Sequence, residues 1–441
     1  MCNFLLHKNG TLKNFERGNI CMIYSKSFDG SSVQDLLRIV ARINPVEIIT
    51  PVNANEVKKG WIESVKDYQF FSNPTFRYDK EKLRAVAANS CRLEQIKNNF
   101  LNSIKPETEE EKVVFDILIK RIDQAIMSTE IAASIVLGDD EKTAELCQDI
   151  YGFPSSTQIL DCYDIINGRP QASIRSRFNK TEKRKLKAMT FDAKEISEYF
   201  EKTLEFYGID SWAIDISSRY TSIDVRTRNS TGKPTICIPE DREVDGLKLL
   251  ELVGHEIESH LRSVENSRFL FRNILGLDSP LYPLAVVLAK SDDELLDEGQ
   301  AKLSDVHING SSAMPMPYYT VAIDQARRGH NFRDVAETIF GLRIKNGESV
   351  EEAAKMSWIN TYRVFRGCTD TSTSNFYAYT KDYIYFSGYN IAKDIDPSYL
   401  PFASMGIDEI RKLANLGLID LVKYKNRDAV KALKAELLSK E

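Results

Sequence analysis

The sequence has 441 residues, 42% of them hydrophobic and 28% charged, enough for two or three lobes with sizeable cores. Lys and Arg number 59 against 64 Asp and Glu, a net charge of −5, which excludes a global attraction for nucleic acid. No apolar run is long enough to span a membrane, and the first residues lack the basic start and apolar length of a signal peptide.

The seven cysteines (Cys2, Cys21, Cys91, Cys147, Cys162, Cys237 and Cys368) are scattered and form no Cys-x-x-Cys. They read as reduced thiols of a cytoplasmic protein, neither a disulfide frame nor a cysteine zinc site. In chain order, residues 1–30 read as a variable extension. Val33–Ile43 predicts a helix with Val33, Leu36, Leu37, Val40 and Ile43 on one stripe, ended by Asn44-Pro45. Asn53 or Asn55 is placed to cap the next helix. From Lys80 to about Leu137 the pattern is helical almost throughout. Pro106-Glu107-Thr108-Glu109 opens the longest segment, with acidic residues where the helix dipole favours them. Asp140–Tyr151 and Ser156–Ile166 add shorter helices, so residues 31–167 read as a helical N-terminal lobe.

Residues 168–187 hold Arg169, Arg175, Arg177, Lys180, Lys183, Arg184, Lys185 and Lys187. They read as a basic linker, with a rim for an acidic peptide as the sharper alternative. Residues 188–441 form the remainder. A helix is expected over Phe191–Tyr207, and strands over Trp212–Ile216, Ser222–Arg228 and Lys233–Ile238. Asn229-Ser230-Thr231-Gly232 is placed as a hairpin turn between the last two. Ile236 and Ile238 should face the core. A long helix over 242–266 follows, then one over Ser291–Ser304, then helices to the C-terminus.

The 242–266 helix carries Leu252–Arg262, LVGHEIESHLR, which holds two of the five histidines of the chain. Histidine is the commonest metal ligand, and a glutamate beside it can be the base of a metal-assisted hydrolysis. The usual zinc-peptidase spacing is His-Glu-x-x-His, one helical turn. Here it is His255-Glu256-x-x-x-His260. Five residues of α-helix advance about 500°, so the rings would point about 140° apart. Both reach one ion only if the helix carries an extra residue, as in a π-bulge. Catalytic zinc sites use three protein ligands. Glu294 and Glu298, one turn apart on the next helix, can each supply the third.

Several stretches, in order, resemble the tyrosine carboxypeptidase family, which includes the enzyme that removes the C-terminal tyrosine of α-tubulin. They are Arg42-Ile43-Asn44-Pro45 with Pro51 and Asn53, Ile238-Pro239, and His255-Glu256-Ile257-Glu258-Ser259-His260-Leu261-Arg262. Asp297-Glu298-Gly299-Gln300-Ala301, Arg363-Val364-Phe365-Arg366-Gly367 and Thr380-Lys381-Asp382-Tyr383-Ile384-Tyr385 complete the set. The resemblance covers roughly residues 30–420. It implies one zinc per chain held by His255, His260 and Glu298, with Glu256 as catalytic base. Asp297 stands where the family has Gln, and Gln300 where it has Leu. Neither is the inferred ligand, and both sit beside it.

The fold expected is α+β and predominantly helical, a zincin-like catalytic core with a small β-sheet and the helical N-terminal lobe. The activity implied is removal of a C-terminal Tyr or Phe from a peptide or protein, acidic tails included. Arg363, Arg366 and Lys381 are the candidates to hold the terminal carboxylate, with Tyr385 beside them. Tyrosines in Tyr377–Tyr385, or His307, could face the oxyanion. His7 and His330 read as surface residues. The alternatives are a zinc endopeptidase on the same scaffold and a regulatory protein that keeps the fold without turnover.

Overall fold

The longest helix, Glu109–Leu137, shows how local sequence sets the elements. Thr108 accepts from the Glu111 amide, Glu111 reaches back to the Thr108 amide, and Gly138 ends the helix in the left-handed region. The same capping box starts Ala193–Tyr207, through Asp192 and Glu195. Asn53 is not a cap. It is buried, and its side chain bonds Thr75 and Arg77, tying down the loop beyond the helix Ala54–Lys66.

The computed structural model describes residues 23–24, 30–66, 73–168, 175–226, 234–276, 279, 281–291, 294–314, 317–373, 376–419 and 428–439. Most of the 1–30 extension with His7, Cys2 and Cys21, together with Arg169 and the turn at 229–232, lies outside them. The described chain is predominantly helical with small sheets, an α+β arrangement. None of its helices is long and apolar enough to cross a membrane. Among the described residues, Cys91, Cys147, Cys162, Cys237 and Cys368 form no disulfide.

The main sheet has Thr235–Pro239 in the centre, fully buried, parallel to Ala213–Ser217 and antiparallel to Asp224–Arg226. Ile236 and Ile238 face the core as expected, against Phe200, Leu250 and Ile257. Two further cores join distant parts of the chain. Trp61 and Phe76 pack with Phe332 and Trp358, and Leu36 and Phe100 lie in one cluster with Phe271 and Phe402. Residues 31–167 thus share their cores with later helices.

The stretch read as a basic linker contains a helix, Lys180–Lys187, with an Asn179/Glu182 capping box. Lys183 Nζ donates to the Asn309 carbonyl at 3.0 Å, and Lys434 pairs with Glu182 at 2.8 Å. These contacts fix it against the end of Leu295–Asn309 and the C-terminal helix Ala429–Ser439.

Candidate metal centre

The motif segment is one continuous rod in three parts: α-helix Gly246–Leu252, π-helix Val253–Leu261 and α-helix Arg262–Leu275. The wider turn is what the angular argument requires, since residues five apart then share a face. Ser259 Oγ donates to the Gly254 carbonyl, five residues back, at 2.8 Å. The rings of His255 and His260 stand 5.1 Å apart at 70°. Gly254 lets this rod approach Leu295–Asn309: a Cβ there would meet Ser304 Oγ at 2.3 Å.

That second helix brings Glu298 to the histidines. Ligand atoms of His255, His260 and Glu298 lie within 4.8 Å of one another, and His260 Nε2 is 3.9 Å from Glu298 Oε2. Each histidine is held from behind by a carboxylate. His255 Nδ1 sits 3.0 Å from Asp305 Oδ1, and His260 Nδ1 sits 2.9 Å from Asp297 Oδ2. With Nδ1 engaged, Nε2 is the atom left on each ring to ligate. This carboxylate–histidine pairing is the usual second layer of a metal site, so the donor set fits a divalent metal such as zinc.

Charge in the pocket is arranged accordingly. Burial disfavours a cationic ring, but Asp297, then Glu298 and Glu256, push His260 up to about 10. Burial raises Glu256 above the usual carboxylate range, against the opposing pull of the two histidines. Glu258, on the other face of the π-helix, is structural. It accepts from Tyr207 Oη at 2.6 Å and from the amides of Ala429 and Val430, capping the C-terminal helix.

Glu294 does not join the site. The expected helix start at Ser291 is displaced to Leu295, and Glu294 precedes it in the left-handed region with φ 47°. Its carboxylate goes to Lys381 at 2.7 Å and Lys290 at 3.3 Å. Burial opposes its charge, but Lys381, then Lys290, hold it well below the usual range.

The expected carboxylate-binding cations are all paired. Arg363 makes a two-pronged contact with Asp382, at 2.8 and 2.6 Å. Arg366 reaches the same carboxylate at 3.2 Å. Lys381 is taken by Glu294. Side-chain exposure is 28% for Arg363 against 8% for Arg366 and 12% for Lys381, so Arg363 alone of the three has substantial solvent access. Its Nη2 donates to Tyr385 Oη at 3.1 Å, and its guanidinium lies over the Tyr319 and Tyr385 rings. Burial and then the nearby Glu298 charge raise the Tyr385 pKa, keeping the phenol neutral.

Of the other donors considered, Tyr377 bonds the Arg366 carbonyl and Tyr383 bonds the Tyr151 carbonyl at 3.1 Å. His307 lies half a helix circumference round from Glu298, about 13 Å further along. It lines a separate cavity of about 830 Å³ with Arg177, Arg262 and Gln300, and burial followed by Arg177 pushes it down to about 4. His307 is therefore removed from the site.

The sequence placed Asp297 beside the candidate ligand Glu298 but gave no sign of its contact with His260. Asp305 was not singled out. The signal was available: Asp305 follows Glu298 by about two turns, on the same helix face. Gln300 donates to the Glu258 carbonyl of the π-helix at 3.4 Å, a role a leucine cannot fill. No protein-family model matches the chain, and no curated protein is significantly similar to it.

Proposed function

We propose that the protein is a zinc-dependent peptidase with a zincin-like core that releases a C-terminal tyrosine or phenylalanine from a peptide or protein. The observation that carries the hydrolytic reading is the convergence of His255, His260 and Glu298, with each histidine backed by its own carboxylate. These three residues would hold one zinc per chain. Zinc bound there supplies Lewis acidity, lowering the pKa of water and polarising a carbonyl.

The chain's own residues account for the rest. Glu256 takes the proton of the attacking water on its carboxylate and passes it to the leaving amine. Burial raises its pKa, which suits a group that must both accept and return a proton. Tyr385 Oη accepts from Arg363, leaving its own proton to donate to the developing oxyanion. Asp224–Arg226 pairs on one side with Thr235–Pro239 and, among the described residues, offers its other edge beside the π-helix. An extended substrate can add there as a strand.

The exo preference and the aromatic specificity rest on the family resemblance and on Arg363, the accessible cation near Tyr385. A specific observation favours the endopeptidase alternative: each of the three cations already has a carboxylate partner. Digestion of matched peptides ending in Tyr-COOH, Tyr-amide and Ala-COOH, with products identified by mass, decides between them. Loss of one residue from the Tyr acid alone supports the proposal. Internal fragments, or equal cleavage of acid and amide, assign the endopeptidase. No cleavage with zinc in place assigns a protein that binds without turnover.

A further inference from the structure

The two carboxylates behind the histidines are not equivalent. Asp305 is shared: its Oδ2 accepts from Lys302 Nζ at 2.8 Å, while both its oxygens face His255 Nδ1, Oδ1 at 3.0 Å and Oδ2 at 3.2 Å. Lys302 lies one turn before Asp305 on the same helix, and its side chain is partly exposed. Asp297 is shared only with a neutral donor. Its Oδ2 faces His260 Nδ1 at 2.9 Å, and its Oδ1 accepts from Ser263 Oγ at 3.0 Å. Among the described residues, its one ion-pair partner is His260. Lys290 acts on Asp297 only through space, and is itself paired with Glu294.

A carboxylate bonded to Nδ1 orients the ring and makes Nε2 a better ligand. The second effect depends on how much negative charge the carboxylate retains. An ammonium in hydrogen-bond contact cancels most of that charge at the ring, whereas a hydroxyl does not. Both aspartates lie in a buried setting, 5% exposed for Asp305 and 3% for Asp297, so solvent does little to level them.

We propose that Asp297 and Asp305 are unequal positioning residues: Asp297 orients and charges His260, Asp305 mainly orients His255, and Lys302 sets the difference by attenuating metal affinity. The proposal rests on the metal site described above. It concerns the strength of metal binding and makes no use of the reaction.

The test is the zinc dissociation constant of the full chain, measured by competition with a chromophoric chelator, for wild type, Asp297→Asn, Asp305→Asn and Lys302→Met. Both Asn variants keep a hydrogen-bond acceptor and remove the charge. Asp297→Asn is expected to weaken zinc by about 10–100-fold, the range in which outer-layer partners act, and Asp305→Asn by no more than about threefold. Lys302→Met is expected to tighten zinc by about three- to tenfold, below that range because the lysine reaches the ring only through Asp305. A purely structural role for these residues does not produce that gain. The visible spectrum of the cobalt-loaded protein should shift in Asp297→Asn and hold in Asp305→Asn. Lys302 is partly exposed, so its variant stays informative if a buried aspartate variant fails to fold. Equal losses in the two Asn variants, or unchanged or weaker zinc in Lys302→Met, overturn the inequality alone. Failure of the wild type to bind zinc overturns the inequality and the metal reading together.

Discussion

Gly299 lies so close to Gly388 that a Cβ on Gly299 would meet the Gly388 carbonyl oxygen at 2.2 Å. This crossing lays the helix Ile384–Asp394 directly on Leu295–Asn309. Glu298 and Tyr385 sit beside it, one on each helix. The absence of two methyl groups thus sets how near the Tyr385 phenol comes to Glu298.

Gly299→Ala should therefore force the two helices apart. Overpacking of this kind costs about 1–3 kcal/mol, and backbone is the atom met here, so the upper end applies. A lower unfolding temperature, with weaker binding of a peptide acid, is the expected outcome. An alanine variant as stable as wild type would show that the helices are not held at this distance.

Metal content should follow the three converging side chains. Purified protein is expected to carry about one zinc per chain, as a site of three protein ligands implies. Elemental analysis should find it lost from His255→Ala, His260→Ala and Glu298→Ala. It should be retained in Glu294→Ala, whose carboxylate faces two lysines. Loss from Glu294→Ala with retention in Glu298→Ala would reverse the assignment of the third ligand.

Glu256→Gln should keep zinc and lose turnover. General-base action is worth about 10²–10⁴-fold, and the amide cannot take a proton. Near-normal hydrolysis by this variant, measured at saturating peptide, removes Glu256 from the chemistry.

The three cations should behave differently from one another. Arg363→Ala is expected to lower kcat/KM for a free-acid peptide by roughly a hundredfold, about 2.8 kcal/mol, and to leave the amide little changed. Lys381→Ala should act on stability instead. Breaking a buried pair costs about 3–5 kcal/mol when a charge is left alone; Lys290 stays 3.3 Å from Glu294, so the lower end applies. The pH dependence fixes the sign. Glu294 has a depressed pKa in the folded protein. Its contribution is therefore present above the ordinary carboxylate value of about 4.3 and lost as pH falls through the depressed value. Unfolding temperature against pH should fall on the acid side in wild type and flatten there in Lys381→Ala. An unchanged acid limb would mean that the Glu294–Lys381 pair carries no stability.

The sequence alone determined whatever depends on phase along one segment. Pro106-Glu107-Thr108-Glu109 marked the start of the longest helix, because the preference for acidic residues in a first turn is local, and the helix begins at Glu109. His255 and His260 demanded a widened helix, because five residues of α-helix cannot bring two rings together, and Val253–Leu261 is a π-helix. Tertiary structure decided the partners. Periodicity left Glu294 and Glu298 equally placed; a left-handed turn at Glu294 and the lysines that hold it there took it out of reach. It likewise paired Asp297 with His260, Asp305 with His255, and Arg363 with Asp382. A charge exposes in its own segment only the face it occupies. The opposite charge it meets lies far off in sequence, and the choice among candidates is made when helices close on one another at contacts such as Gly254 on Ser304 and Gly299 on Gly388.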